Sequence, residues 1–283
     1  MSEYSTTIHA TASTGTDALR NPSPVVRANN MRAGLLNRNR PLGIGCWNLR
    51  TFLDPGTQSL TACSLYQYNV DVCCLSEVRI PNSGSLEIKI PGANLHFTLY
   101  HSSPRDFSGR HGVAIALSQQ ANRALHAWEP VNERMAYVRL KGYFKNICIV
   151  SVYAPTSAAE QHDKETFYSQ LQVLGERLPR RDLLIASRDW NGRTGRGDST
   201  NSHLISRFRF GSRCENGERL LNFADQNRLF VTNTGFQHRN KHLLTWYSND
   251  GHTVSQIDYI LVSSPFRSWV YDSRSMCGAK IGR

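Results

Sequence analysis

The sequence lacks most of the features that fix a class at a glance. Its seven cysteines form no C-x-x-C pair, so the usual ligand spacing of a structural zinc site is missing. The number is odd, Cys73 and Cys74 are adjacent in one apolar run, and Cys148 lies in another. They read as small buried hydrophobes, not as a disulfide framework. No apolar run reaches transmembrane length, and the first residues hold no apolar signal-type core. The expectation is a reducing intracellular compartment and no membrane partner. There is no glycine-rich phosphate loop, which excludes that form of nucleotide cradle. Outside the N-terminal segment there is no internal repeat and no low-complexity block. Acids are scarce, with 22 Asp and Glu against 33 Lys and Arg, a net charge of +11. That excess favours a polyanionic partner, nucleic acid before an anionic membrane, with plain solubility as the other reading.

What is present is a globular composition: 283 residues, 40% hydrophobic and 19% charged. The length suits one large domain or two small ones. Residues 1–41 read as a disordered tail, Ser- and Thr-rich at first and then basic, with Arg27, Arg32, Arg38 and Arg40. Residues 42–283 read as one domain of mixed strands and helices. Strands are expected at 42–47, 70–76, 111–117, 135–140, 147–153, 183–189, 229–232, 243–247 and 257–262. Residues 80–93 read as a long connection broken by Pro81, Gly84 and Pro91. Helices are expected at 57–69, from the capping-box pattern Ser157 to Glu160 onward, and at 218–228. Phe167, Leu171, Leu174 and Leu178 fall at helical spacing and mark a core face. No further strand is expected after Asp272.

Several apolar runs end on a polar residue. Leu183-Leu184-Ile185-Ala186 runs through Ser187-Arg188 into Asp189-Trp190-Asn191. In extended backbone, Asp189 and Asn191 point the same way, placing a carboxylate beside an amide at the mouth of a core strand. An ordinary strand-end turn explains the same pair. Asn48 and Arg50 follow the first strand, Glu77 the second, and Tyr153 ends another. Asp258 stands inside an apolar, β-prone run, where a carboxylate is costly unless paired. From Arg177 to Arg219 there are ten arginines, Arg193 among them, against five acids. This stretch reads as a solvated loop or as a phosphate footprint. Within it, Arg196-Gly197-Asp198 matches a cell-adhesion tripeptide by chance.

Taken in order, Trp47-Asn48-Leu49-Arg50, Leu75-Ser76-Glu77, Val152-Tyr153-Ala154-Pro155, Asp189-Trp190-Asn191, Thr245-Trp246 and Gln256-Ile257-Asp258-Tyr259 resemble the endonuclease/exonuclease/phosphatase superfamily. Within it, the sequence is most similar to the endonuclease domain of LINE-type retrotransposons. The resemblance implies an α/β fold, a four-layer α/β sandwich of two facing mixed sheets with outer helices, here with the last strand missing. It also implies a metal-dependent phosphodiesterase that nicks DNA, using Mg²⁺ or Mn²⁺. Glu77 would hold the metal, supported by Asn48. Asp189 would activate water, while Asn191 and Tyr153 would stabilise charge on the phosphate. Thr245, Arg50 and Arg193 would contact the DNA backbone, and Asp258 would pair with a histidine. A nuclear location follows if the chain is functional, and a reverse transcriptase region is absent from this chain.

Two departures stand out. Ser187-Arg188 occupies the place where the superfamily has glycine before the aspartate, by substitution or by a one-residue insertion. The closing Ser-Asp-His segment, source of the histidine for Asp258, is also absent. The alternative reading is therefore a truncated remnant that binds nucleic acid without turnover.

Overall fold

The computed structural model describes residues 7–9, 41–49, 52–103, 112–142, 144–195, 201–208, 210–248 and 252–276. Arg50, the Arg196-Gly197-Asp198 tripeptide and most of the N-terminal segment lie outside the described residues.

In chain order the first half contains β1 (Thr7–His9), β2 (Ile44–Asn48), α1 (Pro55–Gln67), β3 (Val72–Ser76), β4 (Ser83–Lys89), β5 (His96–Ser102), β6 (Val113–Ser118) and α2 (Gln119–Arg123). These strands build a seven-stranded sheet in the order β15-β1-β2-β3-β6-β5-β4, closed at one edge by β15 (Arg274–Met276). The second half supplies β7 (Leu125–Asn132), β8 (Met135–Leu140), β9 (Ile147–Tyr153), α3 (Gln161–Arg177), β10 (Leu183–Asp189), α4 (Glu215–Gln226), β11 (Leu229–Val231) and β14 (Asp258–Ser263). They form a six-stranded sheet, β11-β14-β10-β9-β8-β7, beside a small hairpin of β12 (Trp246–Tyr247) and β13 (Val254–Ser255).

Burial explains the layering. Ile44, Val72, Ile115 and Leu117 of one sheet share a core with Val138, Ile147, Ile149, Ile185 and Ile260 of the other. The outer face of the first sheet packs Cys73, Leu75 and Leu99 against Ala62 and Leu65 of α1. The outer face of the second packs Val150, Val152 and Ala186 against Phe167, Leu171 and Leu174 of α3 and Leu220, Leu221 and Ala224 of α4. Each central strand is covered on both faces, which is why these runs lack alternation. The result is the expected sandwich: helix, sheet, sheet, helix.

Local chemistry sets the element ends. Asp54 caps α1 by accepting from the Thr57 amide at 2.6 Å, and Pro55 fills its first turn. The capping-box pattern at Ser157 does not start α3, which begins at Gln161 after Glu160 and has no side-chain cap bond. The expected connection at 80–93 contains β4, an edge strand whose residues are mostly exposed. β5, β7 and β15 also arise where no strand was expected. Within the segment read as a tail, Thr7–His9 pairs antiparallel with both β2 and β15.

Candidate functional site

Register brings the polar strand ends to one rim. β2 and β3 run parallel, with Asn48 opposite Ser76, so Glu77 emerges beside Asn48. β9 and β10 also run parallel, with Asp189 opposite Tyr153. β14 runs antiparallel to β10 and begins on Asp258, directly opposite Asp189. Five residues from five strands, spread from Asn48 to Asp258, therefore meet where the two sheets face each other.

Hydrogen bonds join the two sheets there. Asn48 Nδ2 donates to Glu77 Oε1 at 2.7 Å, and the Tyr153 hydroxyl donates to the same oxygen at 3.3 Å. Glu77 has φ 53°, a left-handed backbone that turns its carboxylate out of the strand line. Its second oxygen lies 3.5 Å from Arg79. Arg134 donates to the Tyr153 carbonyl at 3.3 Å and lies over the Tyr153 ring at 5.5 Å. Burial, then the charges of Glu77 and Asp189, push the Tyr153 hydroxyl well above its usual range, so it stays a donor.

Asp189 and Asp258 are both buried. Burial raises the Asp189 carboxyl, the Asp258 charge raises it further, and Arg188 and the Asn191 amide act in the opposite direction. Asp258 is also raised by burial, with Arg188 and the Thr245 hydroxyl opposing. Among the described residues Asp258 has an arginine, Arg188, as its ion-pair partner, with Nη1 3.4 Å from Oδ1, where a histidine was expected.

The loop after β10 has a different basis from the one alternation suggests. The strand stops at Asp189 and Asn191 has φ 45°, so the two side chains are not neighbours on an extended face. Asn191 instead donates its amide N–H to Asp189 Oδ1 at 3.0 Å and its side-chain Nδ2 to the Ala154 carbonyl at 2.8 Å. Trp190 is fully buried, with Nε1 donating to the Tyr259 carbonyl at 3.1 Å. Asn216, in the first turn of α4, donates to the Pro155 and Asn191 carbonyls, each at 2.9 Å. No sequence pattern marked Asn216 or Arg134, because each acts across strands far apart in the chain.

Thr245 is buried behind Asp258 rather than displayed to a ligand. Its Oγ1 accepts from the amides of Ile257 at 2.9 Å and Asp258 at 3.2 Å, fixing the start of β14. Arg193 is partly buried, and its amide donates to Cys214 Sγ at 3.2 Å at the start of α4.

The oxygen donors at the rim suit a hard divalent cation. Glu77 offers a carboxylate, and Asn48, whose Nδ2 donates to it, sets an amide beside it. Among the described residues no cluster of three His, Cys, Asp or Glu stands ready for a metal. One carboxylate with a supporting amide fits Mg²⁺, which keeps several waters and takes few protein ligands. No helix among the described residues is long and apolar enough to cross a membrane.

No protein-family model matches the chain. Over 239 residues it is 34% identical to craniofacial development protein 2 of Bos taurus, covering 84% of this chain and 39% of that protein. It is 32% identical to the same protein of Tragulus javanicus, covering 84% of this chain and 40% of that one. The chain thus spans about two fifths of the length of the curated relatives it matches. Among solved structures, the catalytic domain of Xenopus laevis APE2 superposes with a TM-score of 0.56 at 16% identity, over 83% of this chain and 91% of that one. An endonuclease/exonuclease/phosphatase family protein from Leptotrichia buccalis gives 0.51 at 14% identity, over 85% and 99%. The AP endonuclease LMAP from Leishmania major gives 0.50 at 11% identity, over 82% and 86%. These likenesses show the fold, and the resemblance read from the sequence holds at that level.

Proposed function

We propose that this chain, which has the fold of the endonuclease/exonuclease/phosphatase superfamily, is a Mg²⁺-dependent phosphodiesterase of the retrotransposon type that nicks DNA. The observation that carries the reading is the single rim at which Asn48, Glu77, Tyr153, Asp189 and Asp258 converge from both sheets. Glu77 and Asn48 would hold the cation, which supplies charge neutralisation at the phosphate and the leaving oxygen. Asp189 takes the proton of the attacking water at its carboxylate. The Tyr153 hydroxyl, kept protonated, donates to the phosphoryl oxygens, and Asn191 holds Asp189 in orientation through its amide. Arg79 and Arg193 lend positive charge near the rim for the DNA backbone, while Thr245 contributes by seating Asp258.

The test is nicking of supercoiled plasmid by the full chain with Mg²⁺ against EDTA. Metal-dependent conversion to open circle supports the reading. DNA binding without conversion would leave only a nucleic-acid-binding remnant. Glu77→Gln keeps size and hydrogen bonding but loses charge. It should weaken Mg²⁺ binding in titration calorimetry while circular dichroism stays unchanged; unaltered metal affinity removes Glu77 from the site. DNA affinity should also fall steeply with salt, with a log–log slope near about −0.9 per phosphate contacted. A flat dependence from low to physiological salt would exclude a phosphate-binding surface.

A further inference from the structure

One side chain behind the rim is unexplained by its position. Arg188 precedes Asp189 on β10 and is 1% exposed. Its φ is 134°, a backbone conformation natural to glycine, and the superfamily pattern has glycine there. The ladders run without a break, Arg188 facing Val152 on one side and Tyr259 on the other. No bulge interrupts either ladder at Arg188.

A strained backbone and a buried guanidinium are both unfavourable, and the contacts show what offsets them. Nη1 faces Asp258 at 3.4 Å. Nη2 donates to the hydroxyl of Ser76, which is the last residue of β3 and the one before Glu77. Arg188 therefore crosses from the sheet of Asp189 and Asp258 to the sheet of Glu77. At 1% exposure it has no access to DNA and acts only through these neighbours.

We infer that Arg188 is a positioning residue: its guanidinium gives Asp258 the charge partner that the superfamily pattern draws from a closing histidine, and through Ser76 it sets the spacing between the Asp189 and Glu77 edges. The catalytic half of this inference rests on the nuclease reading. The carboxylate that lacked a partner in the sequence thus has one in the fold.

The experiment is a double-mutant cycle in the full chain, read by melting and by nicking. Arg188→Met should lower the melting temperature by roughly 10 °C, since removing one member of a buried pair strands the other. Adding Asp258→Asn should recover at least half of that loss. If Arg188→Met does not fold, Arg188→Gly, whose backbone suits this φ, carries the same cycle. In nicking assays Arg188→Met should reduce kcat by about tenfold or more with KM for DNA unchanged, as a misplaced group would. Arg188→Lys should restore part of kcat, which a purely structural role does not require. Additive losses in the cycle would overturn the pairing, and a wild-type kcat in Arg188→Met would overturn the positioning role. A wild-type chain that never nicks removes the nuclease reading and the positioning role with it, while the melting cycle still decides the pairing.

Discussion

Asp189→Asn should cut Mg²⁺-dependent nicking by about 10²–10⁴-fold, the usual worth of a general base, with the fold intact. The substitution keeps the acceptor that receives the Asn191 amide and removes only the proton-accepting charge. Burial and the neighbouring Asp258 hold the Asp189 proton above the ordinary carboxylate range. A base poised closer to neutrality is better matched to its task than a free carboxylate. Nicking by the wild type should therefore rise with pH along a limb set by this group, and the residual activity of Asp189→Asn should lack that limb. Stability must move in the opposite sense. A carboxyl raised in the folded state contributes fully below its unfolded value of about 3.9, and that contribution is lost as pH climbs through the folded value. In EDTA, the melting temperature of the wild type should thus fall relative to Asp189→Asn as pH rises from about 4. Parallel melting curves across that range would show that Asp189 ionises normally in the fold.

The second large effect concerns a glycine on α4. Gly217→Ala should destabilise the protein, although alanine is the better helix former by up to about 1 kcal/mol. A Cβ at position 217 would stand 1.9 Å from the Arg193 carbonyl oxygen and 2.5 Å from its carbon. These are backbone atoms of the loop after Asp189, so neither can rotate away. The loop must shift or the helix must lift. Overpacking of this kind typically costs about 1–3 kcal/mol, which outweighs the propensity gain. The loop also contains Asn191, which Asn216 holds through its carbonyl. Nicking should fall together with the urea midpoint. A raised midpoint would mean that propensity wins and that the contact is loose.

The rim was legible because it is written locally. An apolar run that stops on an acid is visible in one dimension, and parallel register carries Asn48, Glu77, Tyr153 and Asp189 to the same edge. The same rule failed for β4, an edge strand with few buried residues and prolines at both flanks, which offers no apolar run to read. It failed again at Asn191, where a left-handed turn replaces the extended backbone that alternation assumes. Thr245 reads as a surface contact until β14 is seen to need its hydroxyl. Arg188 was visible only as a departure from a pattern. Its partners, Ser76 and Asp258, lie far from it in sequence, and only the docking of two sheets brings them together.

That docking has a kinetic side. Glu77 and Ser76 belong to the sheet built mainly from the first half of the chain, whereas Tyr153, Arg188, Asp189 and Asp258 belong to the other. Either sheet can pair most of its strands without the other, but the Tyr153–Glu77 and Arg188–Ser76 bonds close only when the halves meet. Thr7 and Met276, near opposite ends of the chain, must also find each other to complete the first sheet. Such remote pairings close long loops before any contact rewards them, and they slow folding. On this topology the rim is expected to close late in folding, so stopped-flow circular dichroism should recover strand and helix signal before the Tyr153–Glu77 contact forms.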